Sequence, residues 1–246
     1  MSKVIVITGA GVGLGRALAR RFAAEAHTVV LLGRTRAKVE AVAGELGPPA
    51  LAVGCDVSSP DSVRAAFTHI ADHHRHIDVL INNAAVFEPF QLIEGTDEQI
   101  LQSVATNLVG AMLCARSAIP LMPPGSQIIN ISSESVKLPL PHLLVYQSAK
   151  AGLERFSEGL HAELEPAGIR VTTVRAGQMY EEGKVWNADP QAQMRFAQAA
   201  AAVGFKLRER PISQFTSVTD IFSALIKLPA DLAATHISLQ ARKAQP

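Results

Sequence analysis

The chain has 246 residues, 48% hydrophobic and 18% charged, with 23 Lys+Arg against 22 Asp+Glu for a net charge of +1. That composition supplies a large core and excludes a disordered chain, and the balanced charge offers nothing to a nucleic acid or an anionic membrane. Polar residues interrupt every apolar stretch, so no transmembrane helix is expected, and two cysteines make neither a disulfide framework nor a zinc set. One α/β domain over 1–246 is the expectation at this length. The apolar run 4–7 is too short for a signal-peptide core, so a cytoplasmic location is expected.

Short β-branched runs at 4–7, 28–32, 50–53, 79–81, 127–131, 170–174 and 236–239 predict seven strands. Most are continuously apolar, as in a parallel sheet covered on both faces. Helical stripes lie between them: Leu14, Leu18, Ala19 and Phe22 in one, Val63, Ala66, Phe67 and Ile70 in another. Thr96 followed by Gln99 has the form of a capping box, and Ser58, Ser59 and Asp61 suit the start of the third helix. Leu153, Phe156, Leu160 and Leu164 mark a helix that Pro166 and Gly168 stop. The pattern is a Rossmann-like, doubly wound seven-stranded parallel sheet with helices on both faces. From 178 to 212 no strand is expected, and Tyr180, Trp186, Met194, Phe196 and Phe205 mix with charges there; a long excursion of this kind is expected to cover a substrate as a lid.

Thr8-Gly9-Ala10-Gly11-Val12-Gly13-Leu14-Gly15 follows the first strand and opens the first helix. Glycine at 9, 11 and 13 lets backbone N–H groups of the turn, those of Val12 and Leu14 included, approach a pyrophosphate, and Gly15 lets the helix close on the sheet. A dinucleotide site is the expectation. The second strand ends in Gly33, followed by Arg34-Thr35-Arg36, with no carboxylate for ribose hydroxyls and two guanidinium groups for a 2′-phosphate. NADP(H) is therefore the preferred coenzyme, with NAD(H) the second choice.

Tyr146 and Lys150 lie one turn apart in Tyr146-Gln147-Ser148-Ala149-Lys150, in a chain with only two tyrosines. An ammonium beside a phenol is expected to lower the phenol's pKa and make Tyr146 a proton donor to a carbonyl or acceptor from an alcohol. Thirteen residues upstream, Ser132-Ser133 ends a strand on the ligand-bearing edge, where a hydroxyl can hold the reacting oxygen.

These motifs together resemble the short-chain dehydrogenase/reductase family, in its ordinary form, strongly over residues 3–177 and loosely beyond. The resemblance implies that the 8–15 turn binds the coenzyme and that Asp56 and Val57 contact adenine. It places Asn83, Ala84 and Ala85, in Asn82-Asn83-Ala84-Ala85, at a further coenzyme-contacting strand end. It also implies a tetrad of Asn107, Ser133, Tyr146 and Lys150: Ser133 holds the oxygen, Tyr146 moves the proton, Lys150 binds the nicotinamide ribose and tunes Tyr146, and Asn107 holds a water. Hydride exchange between a carbonyl and a secondary alcohol follows, and pairing of helices at 97–120 and 146–165 into a homodimer or homotetramer.

The chain departs from the family at 175–181, where Arg175-Ala176-Gly177-Gln178-Met179-Tyr180-Glu181 replaces a Pro-Gly turn with a threonine beyond it. Gly177 and the backbone of Met179 are still expected at the carboxamide, in a looser turn. His142, Tyr180 and Trp186 are candidate substrate contacts alongside Ser133 and Tyr146, and Phe87 and Phe90 suggest an apolar or aromatic substrate. His73-His74-Arg75-His76 reads as a solvated helix end without metal, and Cys55 and Cys114 as buried hydrophobes. The alternative is a catalytically silent nucleotide-binding regulator or partner protein on the same fold, against which the retained Tyr146 and Lys150 speak. An epimerase or dehydratase that recycles its coenzyme fits the glycine spacing and the chain length less well.

Overall fold

The computed structural model describes residues 2–180 and 189–243 of the chain, without the side chains of Tyr180 and Arg208. In chain order the elements are β1 (Val4–Thr8), α1 (Gly13–Ala24), β2 (Thr28–Gly33), α2 (Arg36–Leu46), β3 (Leu51–Gly54), α3 (Pro60–His73) and β4 (Val79–Asn82). The second half adds α4 (Asp97–Val104), α5 (Gly110–Ala118), β5 (Gln127–Ser133), α6 (Leu144–Leu164), β6 (Arg170–Ala176), β7 (Met179–Tyr180), α7 (Pro190–Ala202), β8 (Ser213–Gln214), α8 (Phe215–Leu225) and β9 (His236–Ser238). All seven expected strands form one parallel sheet in the order β3-β2-β1-β4-β5-β6-β9. The 178–212 region does contain a strand: β7 pairs with β8 through two residue pairs.

Strand alternation divides the core in two. Ile5 and Ile7 of β1 pack with Leu14, Leu18 and Phe22 of α1 and Phe222 of α8, whereas Val6 between them packs with Phe67 and Ile70 of α3, Cys114 of α5 and Leu160 of α6. Helices therefore cover both faces.

The local signals behave as their chemistry requires. Thr96 Oγ1 accepts the Gln99 N–H while Gln99 Oε1 accepts the Thr96 N–H, completing the capping box of α4. Ser59 caps α3, and Gly168 ends the α6 segment at φ +68°. Between α4 and α5 the chain adopts a π-helical turn, Ala105–Val109, so helix continues from Asp97 to Leu121. By length and composition that 25-residue run is apolar enough to cross a membrane, contrary to the sequence expectation. Three of its residues, Cys114, Ala115 and Ala118, join the core under the sheet.

In this strand order the chain reverses direction across the sheet between β1 and β4. In a doubly wound fold the ligand crevice opens at that point, outside the carboxyl ends of the strands.

Candidate active site

The turn after β1 is built for close approach. Gly9 and Gly13 have φ of +67° and +58°, in the left-handed region that favours glycine. A Cβ on Gly15 would lie 2.4 Å from the Gly9 carbonyl oxygen and 2.6 Å from Asn83 Nδ2. Asn83 is the brace of this contact: its side-chain amide donates to the carbonyls of Thr8 (2.9 Å) and Gly9 (3.3 Å), and the N–H groups of Asn83 and Ala84 both donate to Thr8 Oγ1 at 2.9 Å. Asn83 therefore shapes the turn with the N–H groups of its side chain. The N-terminus of α1 carries no side-chain cap and no acidic residue in its first turn, so its N–H groups face the crevice open to an anion. These features fit the pyrophosphate of a dinucleotide.

Toward the adenosine side, Arg34 and Thr35 are exposed at the end of β2 and the start of α2. Arg36 is also exposed, but its Nε donates to Glu40 at 2.7 Å. Arg34 makes no such pair among the described residues. Asp56 Oδ1 accepts from the Ser58 N–H (3.0 Å) and hydroxyl (2.6 Å), and Val57 is buried against Gly110. Ala85 continues the loop that leads from Asn83 to Val86.

Four candidate residues converge at the carboxyl end of β5. Ser132 and Ser133 point to opposite faces, as alternation demands: Ser132 Oγ is buried and donates to Glu154 at 2.7 Å, leaving Ser133 hydrogen-bonded to the Tyr146 hydroxyl. Lys150 is buried and donates from Nζ to the Ile131 carbonyl at 2.8 Å, with Nζ 6.0 Å from the centre of the Tyr146 ring. Asn107 sits in the middle of the π-helical turn, where its Oδ1 accepts the Val86 N–H (3.2 Å) and its Nδ2 donates to the Val86 carbonyl (2.9 Å). A cavity of about 10 Å³ is lined by Thr8, Asn82, Asn107 and Lys150, among others. That is room for one water molecule.

Burial raises the Tyr146 pKa above the usual phenol value, and the hydrogen bond from Ser133 offsets this only in part. Burial also acts on Lys150, lowering its pKa to about 8.

Around Tyr146 the surroundings are apolar. Phe87 meets its ring edge-on with centroids 5.0 Å apart, and Phe196 of α7 meets Phe87 the same way at 6.3 Å. Phe196 and Ala200 pack on Leu140 and Leu143 of the loop that precedes α6, with Leu138, Phe205 and Leu207 at the edge. His142 of that loop has φ +64°; its carbonyl accepts the Phe90 N–H, and its Nε2 lies 3.2 Å from Gln91 Nε2, so the ring is tied to the 87–95 loop. Gly177 has no room for a Cβ, which would lie 2.5 Å from the Leu239 carbonyl oxygen, and Met179 pairs with Ser213. Trp186 and Glu181 lie outside the described residues, as does the Tyr180 side chain.

Residues 3–187 match the short chain dehydrogenase family. The chain belongs to the short-chain dehydrogenase/reductase family. It is 35% identical over 181 residues to serine 3-dehydrogenase of Agrobacterium fabrum, covering 72% of each chain. Among solved structures, 3-ketoacyl-(acyl-carrier-protein) reductase of Brucella melitensis, complexed with NADH, superposes with TM-score 0.79 at 25% identity over 96% of both chains. A metagenomic short-chain oxidoreductase in complex with NADP does so with TM-score 0.77 at 25% identity over 98% of both. This short-chain dehydrogenase/reductase is thus an oxidoreductase whose relatives are named for reactions of small molecules.

Two ion pairs at the site escaped the sequence reading. Arg175 Nε and Nη2 grip Glu154 of α6 at 2.9 and 2.6 Å, and Arg210 donates to Glu134, next to Ser133, at 2.8 Å. Their partners stand 21 and 76 residues apart, with no periodicity to link them. Gln147, beside Tyr146, likewise ties the carbonyls of Ser135 and Leu138 to α6.

Proposed function

We propose that this oxidoreductase interconverts a carbonyl and a secondary alcohol with a nicotinamide coenzyme, preferring NADP(H) over NAD(H). The observation that carries the reading is the convergence of Ser133, Tyr146 and Lys150 at the end of β5, beside the open N-terminus of α1. When bound, the coenzyme supplies or accepts the hydride. Ser133 donates a hydrogen bond to the substrate oxygen, and Tyr146 gives that oxygen its proton or takes it back. Lys150 holds the nicotinamide ribose, and Asn107 frames the small cavity through which a water reaches Lys150. The glycines at 9, 11 and 13 seat the pyrophosphate, and Arg34 faces the 2′-phosphate at the adenosine end.

The segment 178–212, of which 181–188 lie outside the described residues, acts as the lid; α7 within it leans on the loop before Tyr146. Phe87, Leu140, Leu143 and Phe196 favour an apolar or aromatic substrate. Two copies pair through the helices at 97–120 and 146–165, the first of which exposes Leu101 and Val109. The deciding experiment follows NADPH absorbance with a panel of aliphatic and aromatic carbonyls. Net oxidation supports the reductase, whereas tight coenzyme binding without turnover on any carbonyl returns the protein to a nucleotide-binding partner.

A further inference from the structure

The carboxyl ends of β5 and β6 run side by side, with Ser132 opposite Arg175 and Ser133 opposite Ala176. At the end of this strand pair Ser133 hydrogen-bonds the Tyr146 hydroxyl. Glu154, on the same helix as Tyr146, receives three donors: the Ser132 hydroxyl at 2.7 Å and both Nε and Nη2 of Arg175 at 2.9 and 2.6 Å. The two side chains retain 12% and 15% of their exposure, so water competes weakly for either. Glu154 lies one helical turn past Lys150 on α6. One carboxylate therefore ties together the helix that carries Tyr146 and Lys150, the strand that carries Ser133, and the strand that leads into Gly177.

That last link matters because of what β6 lacks. The chain has Ala176 where the family resemblance implies proline, so nothing in the covalent backbone fixes the exit from β6. Yet the exit is tightly placed: Leu239 N–H donates to the Arg175 carbonyl at 2.9 Å, and Gly177 leaves no room for a Cβ beneath Leu239. A buried ion pair contributes little net stability over an apolar pair of the same volume, but its bidentate geometry fixes orientation. We propose that the Glu154–Arg175 pair is a positioning device: it holds residues 177–179, the seat of the coenzyme's nicotinamide end, in register with Tyr146 and Lys150. This rests on the coenzyme reading above and goes beyond it, since that reading gives neither residue a contact with the coenzyme.

The test compares binding of whole and truncated coenzymes, measured by calorimetry on the purified full chain. NADPH and NADH are set against 2′-phospho-ADP-ribose and ADP-ribose, which keep the adenine, pyrophosphate and second ribose but lack nicotinamide. Arg175→Gln and Glu154→Gln should weaken the preferred whole coenzyme about 10-fold and its truncated counterpart less than about 2-fold. The charge-swapped double variant Glu154→Arg/Arg175→Glu should recover part of the loss. If the single variants fail to fold, Glu154→Leu/Arg175→Met removes both charges together and should show the same split between whole and truncated ligands. Equal weakening of both ligands, or of neither, overturns the proposal. Failure of the unaltered chain to bind any of the four removes the coenzyme reading itself, and the proposal with it.

Discussion

The ammonium of Lys150 is anchored to the carbonyl of Ile131 at 2.8 Å, one residue short of the serine pair that closes β5. This contact fixes where the ammonium sits. It holds the cation 6.0 Å from the centre of the Tyr146 ring, and burial acts on both groups in the direction of neutrality.

A pH dependence follows from Lys150. Its pKa falls from 10.5 when unfolded to about 8 when folded. The unfolded chain therefore binds more protons between those values, and stability must rise as pH increases through that window. The burial cost is fully present below pH 8. Coenzyme-free protein is expected to gain on the order of 3 kcal/mol between pH 8 and 10.5 relative to Lys150→Met. Urea unfolding of both proteins at a series of pH values measures it, and parallel profiles would refute the assignment.

Tyr146→Phe retains the ring that Phe87 packs against and removes only the hydroxyl. Turnover is expected to fall by about 10²- to 10⁴-fold, the range of general acid–base catalysis, with the Kd for NADPH changed less than about 3-fold. Steady-state kinetics with fluorescence titration separates the two. Retained turnover would move the proton donor elsewhere.

Arg34 is exposed and unpaired among the described residues, whereas Arg36 is engaged by Glu40. Arg34→Ala should therefore raise the KM for NADPH by about 10- to 100-fold, as expected for one charge-assisted hydrogen bond to phosphate, and leave the KM for NADH nearly unchanged. Equal effects on both would assign the 2′-phosphate to another residue.

Gly15→Ala would place a methyl 2.4 Å from the Gly9 carbonyl oxygen and 2.6 Å from Asn83 Nδ2. The backbone of the turn must shift to admit it. A loss of about 1–3 kcal/mol in stability is expected, as for overpacking, with binding of both whole and truncated coenzymes weakened together. Thermal unfolding and calorimetry check it; an unperturbed Tm would show that α1 yields more easily than its contacts imply.

Much of this protein was legible in one dimension, and the boundary has a physical cause. Strands, helix caps and the glycine turn are set by residues a few positions apart, so the seven strands, the Thr96–Gln99 box and the 8–15 turn could be read from the sequence. Tyr146 and Lys150 share one helix face, and their proximity also needed only the helical period. What β5 does with Ser132 and Ser133 was narrowed by alternation but settled by Glu154, whose approach depends on how α6 packs. The Glu154–Arg175 and Glu134–Arg210 pairs, the raised pKa of Tyr146 and the Phe87–Phe196 contact with α7 exist only because distant segments meet. Burial and long-range charge pairing depend on the whole packed assembly, and no local pattern encodes them.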